Sequence, residues 1–512
     1  MEHLEVTAQE AGRCLSMGII RIKNLSFSYD GQIDPLFSEV NLELDSNWKL
    51  GLIGRNGRGK TTLLRILQNQ LKFNGTVETN LKFNYFPLPV KDGTQTVEQV
   101  LMEQTGRDYS NFWEVERELS LIGLPDDIIF KIYEELSPGQ QTKALLAAMF
   151  ADRESFQLID EPTNHLDYDG RQILAQYLKQ KQGFIVISHD RRFLNDVIDH
   201  VLSIDRAEIS VFQGNYDTWA NEREATDQRE RSEKANLQKD IKKLEQASRQ
   251  KQEWSRATER EILGHGVPDR GFISHKSAKV MSKALNIRNR ADKKVEEKKS
   301  LLKNIEIQEP LTLQYEPSRS VKPLVEVKDL ILKRDGRTLN HSISFELKAG
   351  DRIVVEGPNG VGKSTFIKAL LNQDMKLIES GSANIRKNVT VSYLPQDFDQ
   401  LSGSLGKFAE EKQVDLQELL AALRKLGFER SLFDHNIEDM SMGQKRKVAL
   451  ARSLCERAEL YIWDEPLNYL DVITREQIQE LILKYQPTML FIDHDQEFVD
   501  QVQTKVVNLK KL

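Results

Sequence analysis

The chain has 512 residues, of which 39% are apolar and 29% are charged, and this composition excludes both a small disulfide-stapled module and a chain that is disordered throughout. Its net charge of −6, taken over the whole chain, gives no reason to expect a nucleic-acid partner. The longest apolar runs, such as residues 144–151, are far shorter than the roughly 18–20 residues that span a bilayer, so we expect no transmembrane helix.

Residues 1–18 are predicted to be an extension that precedes the first domain. Three glutamates among the first ten residues stand where a secretory signal would need basic residues followed by an apolar core, and Met17 could serve as the start of translation. Two cysteines, Cys14 and Cys455, are too few for a disulfide framework or a structural zinc site. We therefore expect a protein of the reducing cytoplasm.

A phosphate-binding loop is predicted in the domain that we assign to residues 19–206. The run Gly54-Arg-Asn-Gly-Arg-Gly-Lys60-Thr61 follows a short apolar segment and precedes an apolar-periodic one, which is the strand, loop and helix order that the motif requires. Its glycines let successive backbone N–H groups surround a phosphate, Lys60 neutralises the phosphate oxygens, and the Thr61 hydroxyl can bind Mg²⁺. The predicted nucleotide contacts in this loop are Gly54, Asn56, Gly57, Gly59, Lys60, Thr61 and Thr62.

Three further motifs follow in the same domain. Ser137 and Gly139, at a predicted helix start, offer a hydroxyl and a backbone N–H that suit a γ-phosphate. A strand that ends in Asp160 and Glu161 suits a metal site, in which the aspartate orients Mg²⁺ and the glutamate polarises an attacking water. His189 closes a later apolar strand, and we assign it to the γ-phosphate.

The next segment, residues 207–322, is predicted to be a helical hairpin between two domains. Within it, residues 221–303 hold 22 lysines and arginines against 14 aspartates and glutamates. Apolar residues recur at helical spacing in residues 237–254 and again in 280–295, which predicts two mostly polar helices with narrow apolar seams. Three glycines and a proline near residues 264–272 place the turn there. By its charge alone, the hairpin could equally be a solvated spacer or bind RNA.

The same motifs recur in order in residues 323–512. The distance from the loop lysine to the strand aspartate is 100 residues in the first copy and 101 in the second, and the other spacings also agree to within one residue. Two matched sets exclude coincidence and predict an α/β protein with two P-loop domains joined by a long α-helical hairpin. The second copy contributes Gly357, Asn359, Gly360, Gly362, Lys363, Ser364, Thr365, Ser441, Gly443, Asp464, Glu465 and His494.

These motifs resemble the ATP-binding cassette superfamily, whose signature Leu-Ser-Gly-Gly-Gln is matched by residues 136–140 and 440–444. The resemblance implies that the two cassettes meet head to tail, so that the signature of each closes over ATP held by the other, and that ATP is hydrolysed to ADP and phosphate. Ser441, Gly443 and Gln444 would then complete the site of Lys60. Ser137, Gly139 and Gln140 would complete the site of Lys363.

The resemblance also implies a role for each remaining candidate. The catalytic candidates are Glu161, Glu465, His189 and His494, and the magnesium candidates are Thr61, Asp160, Ser364, Gln396 and Asp464.

Three positions depart from the superfamily pattern. Gln396 supplies the glutamine that the family places near Mg²⁺, whereas the matching residue of the first copy is Leu88. Pro138 replaces a signature glycine. Tyr29 stands at the position of the adenine-stacking aromatic residue and is matched in the second copy by Arg334, whose planar guanidinium can also stack on a base. We therefore expect two unequal ATP sites.

Tandem cassettes joined by a charged helical hairpin, with no membrane span expected, resemble the ABC-F family of ribosome-associated ATPases over nearly all of residues 19–512. Residues 47–62, 440–444 and 463–471 are similar to the antibiotic-resistance proteins of that family, which protect the ribosome. The resemblance implies a single functional chain with no membrane insertion, bound to 23S rRNA and tRNA near the ribosomal exit site.

The same resemblance implies that the hairpin tip, residues 263–283, approaches the peptidyl-transferase centre and displaces lincosamides, pleuromutilins or streptogramin A. Basic residues continue through this tip beside an aromatic ring that can stack on an unpaired base. The RNA-contact candidates are Arg270, Phe272, His275, Lys276, Lys279 and Lys283.

Other functions remain open at this point. A general ABC-F translation factor would share every motif named above. The ATPase subunit of a multi-component transporter would be expected to keep the glutamine in both copies and to lack the basic hairpin, so Leu88 and residues 221–303 disfavour it. A DNA-handling ATPase is disfavoured as well, because its coiled coil usually interrupts a cassette.

Overall fold

The computed structural model describes residues 18–29, 35–164, 166–205, 209–226, 309–334, 336–358, 360–372, 375–398 and 400–511, together with scattered positions from 228 to 246. The chain divides into two compact units, one made of residues 1–217 with 310–512 and the other of residues 218–309. The first unit contains both copies of the repeat. The predicted hairpin tip with its six RNA-contact candidates, most of the N-terminal extension and Asn359 lie outside the described residues.

The first domain consists of a parallel-stranded sheet flanked by helices and a smaller antiparallel sheet. Its strands are β1 (Ile19–Phe27), β2 (Phe37–Asp45), β3 (Lys49–Gly54), β4 (Asn74–Glu78), β5 (Lys82–Phe86), β6 (Ser155–Asp160), β7 (Phe184–Ile187), β8 (His200–Ile204) and β9 (Ile209–Gln213). Its helices are α1 (Lys60–Leu67), α2 (Val97–Thr105), α3 (Trp113–Leu121), α4 (Pro138–Ala151), α5 (Tyr168–Lys179) and α6 (Arg191–Val197), and short 3₁₀ turns span Asp126–Phe130 and Tyr133–Glu135.

The larger sheet of this domain has the order β5-β6-β7-β3-β8-β9, with only β9 running antiparallel to its neighbour. Strands β3, β6 and β7 are buried along almost their whole length, which explains why their sequences are continuous apolar runs. Leu52 and Leu158 are at most 1% exposed and belong to one core with Ile20 and Leu25 of the smaller sheet, which has the order β2-β1-β4.

The second domain repeats this architecture. Its strands are β10 (Val325–Arg334), β11 (Arg337–Thr338), β12 (Ile343–Leu347), β13 (Arg352–Glu356), β14 (Ile378–Ile385), β15 (Val391–Leu394), β16 (Leu460–Asp464), β17 (Met489–Ile492) and β18 (Lys505–Asn508). Its helices are α7 (Lys363–Asn372), α8 (Leu405–Glu411), α9 (Leu416–Lys425), α10 (Met442–Cys455), α11 (Val472–Tyr485) and α12 (Gln496–Val502), with 3₁₀ turns at Met375–Leu377, Arg430–Asp434 and Ile437–Asp439.

Strand order places the candidate site residues of each domain together. In the first domain β6, β7 and β3 are consecutive neighbours, and in the second β16, β17 and β13 are, all of them parallel. The carboxyl ends of parallel strands lie at one edge of the sheet, where open α/β sheets bind their ligands. The loop after β3, the carboxylates at the end of β6 and the histidine after β7 therefore meet at one edge, and the second domain repeats the arrangement.

Local interactions set where the two signature helices begin. Ser137 is the N-cap of α4 and Ser441 is the N-cap of α10, and each forms a capping box with the glutamine three residues later. Pro138, at the first helical position of α4, lacks only an N–H that would have no intrahelical partner there. The sequence of the signature therefore starts a helix in both copies.

The ends of the segment assigned to the linker contribute to the two domains. Strand β9 pairs with β8 of the first domain, although residues 209–213 fall within the predicted linker 207–322. Leu311 and Leu313 are buried in the core of the second domain. We therefore place the linker proper between these two packed segments, since buried apolar residues fix each of them to a domain. Residues 216–226 are helical.

No helix in the described part of the chain is both long enough and apolar enough to cross a membrane.

A substitution in β6 tests the assignment of the core. Leu158 is 0% exposed, so Leu158→Ala is expected to cost about 2–5 kcal/mol through lost burial and a residual cavity. Differential scanning calorimetry should show a lower midpoint temperature for the transition in which the first domain unfolds. Leu121 is 51% exposed, so the control Leu121→Ala should change stability by less than about 0.5 kcal/mol. Equal shifts for the two variants would contradict the assignment.

Candidate active site

The first phosphate loop depends on glycine at two positions. Gly57 and Gly59 have φ angles of 88° and 89°, a left-handed conformation that only glycine adopts at little cost. A Cβ atom at Gly59 would also lie 2.8 Å from the side chains of Leu36 and Phe37. The chain can therefore enter α1 directly from the loop, with backbone N–H groups turned toward the space that a phosphate would occupy.

Lys60 is held inside this loop. Its side chain is nearly buried, and Nζ donates hydrogen bonds to the Gly54 carbonyl at 2.7 Å and to Asn56 Oδ1 at 3.1 Å. Burial lowers the pKa of Lys60, and the nearby carboxylates of Asp471 and Glu161 oppose that shift. The ammonium group is thus positioned at the loop whose phosphate it would neutralise.

The predicted magnesium ligands of the first site meet at the end of β6. Asp160 Oδ2 accepts hydrogen bonds from Thr61 Oγ1 at 2.9 Å and from the Tyr85 hydroxyl at 3.0 Å. An oxygen-rich pair of this kind suits a hard cation such as Mg²⁺. Sequence reasoning did not assign Tyr85, although the matching runs Tyr85-Phe-Pro-Leu88 and Tyr393-Leu-Pro-Gln396 contained the signal. Tyr85 contacts the carboxylate in the copy that has leucine in place of the glutamine.

The two candidate catalytic glutamates share an unusual backbone conformation. Glu161 and Glu465 have φ angles of 54° and 50°, a region that costs a residue other than glycine on the order of 1–3 kcal/mol. Each is held there because its N–H donates to the end of the adjacent strand, to Ile187 in the first domain and to Ile492 in the second, at 2.9 and 2.8 Å. The same strained backbone geometry thus recurs at the candidate catalytic glutamate of both sites.

Each glutamate lies beside the histidine predicted to share its site. His189 Nε2 is 3.0 Å from Glu161 Oε1, and His494 Nε2 is 3.5 Å from Glu465 Oε1. Burial raises the pKa of Glu161 to about 8, although Lys60 opposes the shift. Burial and then Lys60 hold the pKa of His189 well below its ordinary value, so its ring is neutral at neutral pH.

The second site is built from the same parts with a glutamine added. Lys363 Nζ donates to the Gly357 carbonyl at 2.7 Å, and Ser364 Oγ lies 3.5 Å from Gln396 Oε1. Asp464 Oδ1 is buried and has no hydrogen-bond partner among the described residues. Burial raises the pKa of Asp464 to about 6. An unpaired carboxylate oxygen next to hydroxyl and amide oxygens fits Mg²⁺, which prefers oxygen ligands.

A cavity of about 1400 Å³ connects this second site with the first domain. One wall is the phosphate loop and α7 of the second domain, and the other is the start of α4 of the first domain. This volume can hold a nucleotide, since ligand pockets commonly measure about 300–1000 Å³. Arg334, at the position that matches Tyr29, also lines the cavity. The predicted site residues in its lining are Ser137, Gly139, Gln140, Gly357, Gly360, Gly362, Lys363, Ser364, Thr365, Gln396, Glu465 and His494.

The first site contacts the second domain directly. The Asn56 backbone N–H donates to Asp471 Oδ2 at 3.1 Å, and its side-chain amide donates to the Tyr469 carbonyl at 2.9 Å. A Cβ atom at Gly443 would lie only 3.5 Å from Asn56 Nδ2. The start of the second signature helix therefore faces the first phosphate loop.

The two sides of this domain interface are unequal. Asp471 is completely buried and lies 3.5 Å from Lys447 Nζ, which is also buried. Burial alone would raise the pKa of Asp471, but Lys447 and Lys60 hold it well below its ordinary value. The matching Asp167 is exposed, and its side chain accepts a hydrogen bond from Gly170 at the start of its own helix. The cassettes touch directly at the first phosphate loop and are separated by a cavity at the second, which agrees with two unequal ATP sites.

The signature serines are ready to donate a hydrogen bond. Ser137 Oγ accepts from the Gln140 N–H, and Ser441 Oγ accepts in the same way from the Gln444 N–H, both at 3.3 Å. Since each oxygen accepts this bond, its hydroxyl hydrogen remains available for a ligand. The glutamine side chains return a bond to the serine N–H groups, so Gln140 and Gln444 act as helix caps in this structure.

The side chain of Tyr29 packs against the first phosphate loop. Its hydroxyl lies 2.8 Å from Thr62 Oγ1, its ring meets the edge of Phe27 at 4.9 Å, and 41% of its surface is exposed. An exposed ring beside α1 can stack on a nucleotide base. The structure therefore places Tyr29 close to the loop with which it was predicted to act.

Comparison with known proteins now identifies the family. A model described as "ABC transporter" matches residues 37–164 and again 340–468, which together make up half of the chain. The chain belongs to the ABC transporter family. It is therefore an ATP hydrolase built from two ATP-binding cassettes, and the predicted tandem α/β fold and ATPase activity are confirmed.

Several curated proteins are similar along almost the whole chain. The ribosome protection protein VmlR of Bacillus subtilis (strain 168) is 27% identical over 94% of this chain and 85% of its own length. The ATP-binding protein Uup of Escherichia coli (strain K12) is 26% identical over 92% of this chain and 77% of its own length. The predicted relationship to the ABC-F proteins is thereby confirmed.

A solved structure has the same fold. The archaeal ribosome recycling factor aABCE1, in complex with the ribosomal stalk protein aP1, superimposes with a TM-score of 0.58 at 20% identity. The match covers 95% of this chain and 87% of that one. At this identity the likeness establishes the shared tandem-cassette architecture.

Removing the buried aspartate should weaken the interface on one side only. Asp471→Ala leaves Lys447 buried without its partner, which typically costs about 3–5 kcal/mol, and small-angle scattering in Mg-ATP should then report more separated cassettes. The matched control Asp167→Ala removes an exposed helix cap worth about 1 kcal/mol and should leave the scattering profile unchanged. Equal effects of the two variants would contradict the asymmetry.

The hydroxyl of Tyr85 provides a second test. Tyr85→Phe removes one of the two donors that orient Asp160, so the Mg²⁺ concentration for half-maximal turnover at the first site should rise about two- to fivefold. Turnover is measured in the Glu465→Gln background, which leaves hydrolysis to the first site. Tyr393→Phe in that background is the control. An unchanged Mg²⁺ requirement for Tyr85→Phe would exclude the role.

Proposed function

We propose that this chain is a ribosome-associated ABC-F ATPase that binds and hydrolyses Mg-ATP at two composite sites, and that it protects the ribosome from antibiotics of the peptidyl-transferase centre. The observation that carries the proposal is the cavity whose walls are the phosphate loop of one cassette and the signature helix start of the other. A ligand in this position bridges the two cassettes, so ATP binding favours their closure. Hydrolysis then favours opening.

Each site assigns distinct tasks to its residues. Lys60 or Lys363 neutralises the phosphate oxygens, and the signature serine of the opposite cassette donates its hydroxyl to the γ-phosphate. Glu161 or Glu465, held in its strained conformation, is placed to accept a proton from the attacking water. In the first site this requires the ionised form of Glu161, which the charge of Lys60 favours. His189 and His494 lie next to these glutamates, where they can also contact the γ-phosphate.

Magnesium fits both sites. Thr61 with Asp160 would hold it in the first, and Ser364 with Gln396 and Asp464 would hold it in the second. When bound, Mg²⁺ supplies a positive charge that stabilises the charge developing on the transferred phosphoryl group. Leu88 gives the first site one ligand fewer than the second, which supports a division of labour between them.

Two observations support the ribosome as partner. One is the relative VmlR, which is named a ribosome protection protein and whose similarity extends over 94% of this chain. The other is the net charge of +8 in residues 221–303, which suits the phosphates of RNA, in contrast to the acidic remainder of the chain. We propose that residues 263–283 contact 23S rRNA and tRNA near the exit site, and that the protein acts in the cytoplasm.

A housekeeping translation factor is the alternative. Relatives that are named only as ATP-binding proteins, such as YbiT of Escherichia coli O157:H7, are also 27% identical, so identity does not favour protection over a general role. The similarity of residues 47–62 and 463–471 to resistance proteins favours protection. The ATPase subunit of a multi-component transporter is disfavoured by Leu88 and by the basic linker.

Blocking hydrolysis should trap the ribosome-bound state. The double variant Glu161→Gln with Glu465→Gln is expected to co-sediment with ribosomes in Mg-ATP, because both sites then hold ATP without turnover. Binding should weaken as salt increases, with a log-log slope of about one per phosphate neutralised. The control Lys60→Ala with Lys363→Ala cannot hold ATP and should remain in the supernatant. If the glutamine variant also stays there at low salt, the ribosome proposal is wrong.

Drug susceptibility separates protection from the alternative. Expression of the chain in a susceptible host is expected to raise the minimum inhibitory concentration of a lincosamide, a pleuromutilin or streptogramin A. The hydrolysis-deficient double variant serves as the control and should give no increase. A host that grows at unchanged drug concentrations while the protein binds ribosomes would favour the translation factor.

A further inference from the structure

Arg446 is a buried cation that joins three segments of the second cassette. It lies in the signature helix α10 and is 0% exposed. Its guanidinium donates to the carbonyls of Pro395 at 2.7 Å, Asp464 at 3.0 Å and Pro466 at 3.3 Å, and it also donates to the carbonyl of Glu465. Such a set of bonds needs the fixed fork of arginine, which lysine cannot reproduce.

The bonded carbonyls belong to the residues that build the second ATP site. Pro395 directly precedes Gln396, while Asp464 and Glu465 carry the predicted metal and catalytic carboxylates. Burial lowers the pKa of Arg446 to about 10, with Asp493 as the first carboxylate that opposes the shift, so the group stays charged at neutral pH. One charged side chain therefore fixes the backbone beneath three site residues at once.

The first cassette lacks this arrangement. Thr142 occupies the position of Arg446, five residues after the signature serine. Ser188 occupies the position of Asp493, and its hydroxyl lies 2.9 Å from that of Thr163. The matched positions thus carry neutral hydroxyls in one copy and an arginine and an aspartate in the other, so the difference is a property of the second cassette.

Helix α10 also faces the first ATP site. Its N-cap Ser441 and Gly443, two residues later, belong to the signature that lies against Asn56 of the first phosphate loop. A second path runs through side chains, because Asn56 bonds the Tyr469 carbonyl and the Tyr469 ring packs edge-on against Phe398 at 6.2 Å. The Arg446 guanidinium lies over the ring of Phe398, 5.3 Å from the ring centre.

We propose that Arg446 is a positioning residue that makes hydrolysis at the Lys363 site depend on ATP at the Lys60 site. When the second signature closes on ATP held by Lys60, helix α10 is fixed and Arg446 sets the backbone that carries Gln396, Asp464 and Glu465. The inference rests on the two composite sites of the proposed function. Thr142, the matching residue of the first cassette, has no guanidinium that could make these bonds. The turnover rate at the Lys363 site therefore depends on the Lys60 site but not the reverse, which is possible because coupling of rates need not be symmetric.

The test compares turnover at the Lys363 site in two backgrounds. In the Glu161→Gln background the Lys60 site holds ATP without hydrolysing it. In the Lys60→Ala background the Lys60 site holds no ATP. With Arg446 present, turnover should be about tenfold faster in the first background than in the second. The variant Arg446→Thr with Asp493→Ser reproduces the neutral residues of the first cassette, and it should bring this ratio close to one.

The ratio distinguishes positioning from a merely structural role. If Arg446 only stabilises the fold, the double substitution slows turnover equally in both backgrounds and the tenfold ratio persists, which overturns the proposal. Arg446→Lys is the second variant in case the double variant does not fold, and it should also bring the ratio close to one because it keeps the charge without the fork. Lys445→Gln, the matched control on the same helix, carries the residue of the first copy and should keep the ratio.

Failure of the underlying arrangement would look different. Equilibrium dialysis with ATP on the Glu161→Gln, Glu465→Gln chain should give two nucleotides bound per chain. If two nucleotides bind but turnover at the Lys363 site is equal in the two backgrounds with Arg446 unchanged, the coupling is overturned and the composite sites remain intact. A single bound nucleotide would overturn the composite sites, and the coupling with them.

Discussion

The structure depends on a buried charge shared between the cassettes. The Asp471 carboxylate is completely enclosed, and a charge in such a place is tolerated only when it is paired and hydrogen-bonded. Lys447 supplies the opposite charge from the same cassette, and the N–H of Asn56 supplies a hydrogen bond from the other. The phosphate loop of the first cassette is thereby tied to the signature side of the second, so the geometry of a nucleotide site and the geometry of the domain interface are set by the same contacts.

The opposite side of the domain interface contains the same motifs but in a more open arrangement. There Asp167 is exposed, and a cavity separates the second phosphate loop from the signature of the first cassette. The inequality extends into the sites themselves, since Tyr85 bonds the aspartate in one and Gln396 lies beside the serine in the other. A repeat that diverges in this way allows one site to hold ATP without rapid turnover while the other hydrolyses it. We propose that the Arg446 contacts let the Lys60 site control turnover at the Lys363 site.

Both sites retain one strained element. Glu161 and Glu465 occupy left-handed backbone conformations although neither is glycine, and in each case a hydrogen bond to the neighbouring strand holds the residue there. Strain of this kind persists only where the surroundings over-determine it. Its recurrence in two cassettes of different sequence argues that the direction of this carboxylate is a functional requirement of the ATPase.

The sequence by itself determined what depends on near neighbours in the chain. The glycines of the phosphate loops, the capping boxes at Ser137 and Ser441 and the apolar strands could all be predicted, because a turn, a helix start and a buried strand each depend on a few consecutive residues. The helical hairpin remains a prediction.

Only the tertiary structure decided the contacts that join distant segments. Asn56 and Asp471 are 415 residues apart in the chain, and the carbonyls bound by Arg446 come from two separate loops. No periodicity or local spacing encodes such pairs, and Arg446 in the sequence is indistinguishable from a solvated charge on a helix. Its role depends on burial, which is set by how the strands and helices pack, and a sequence pattern records that packing only indirectly.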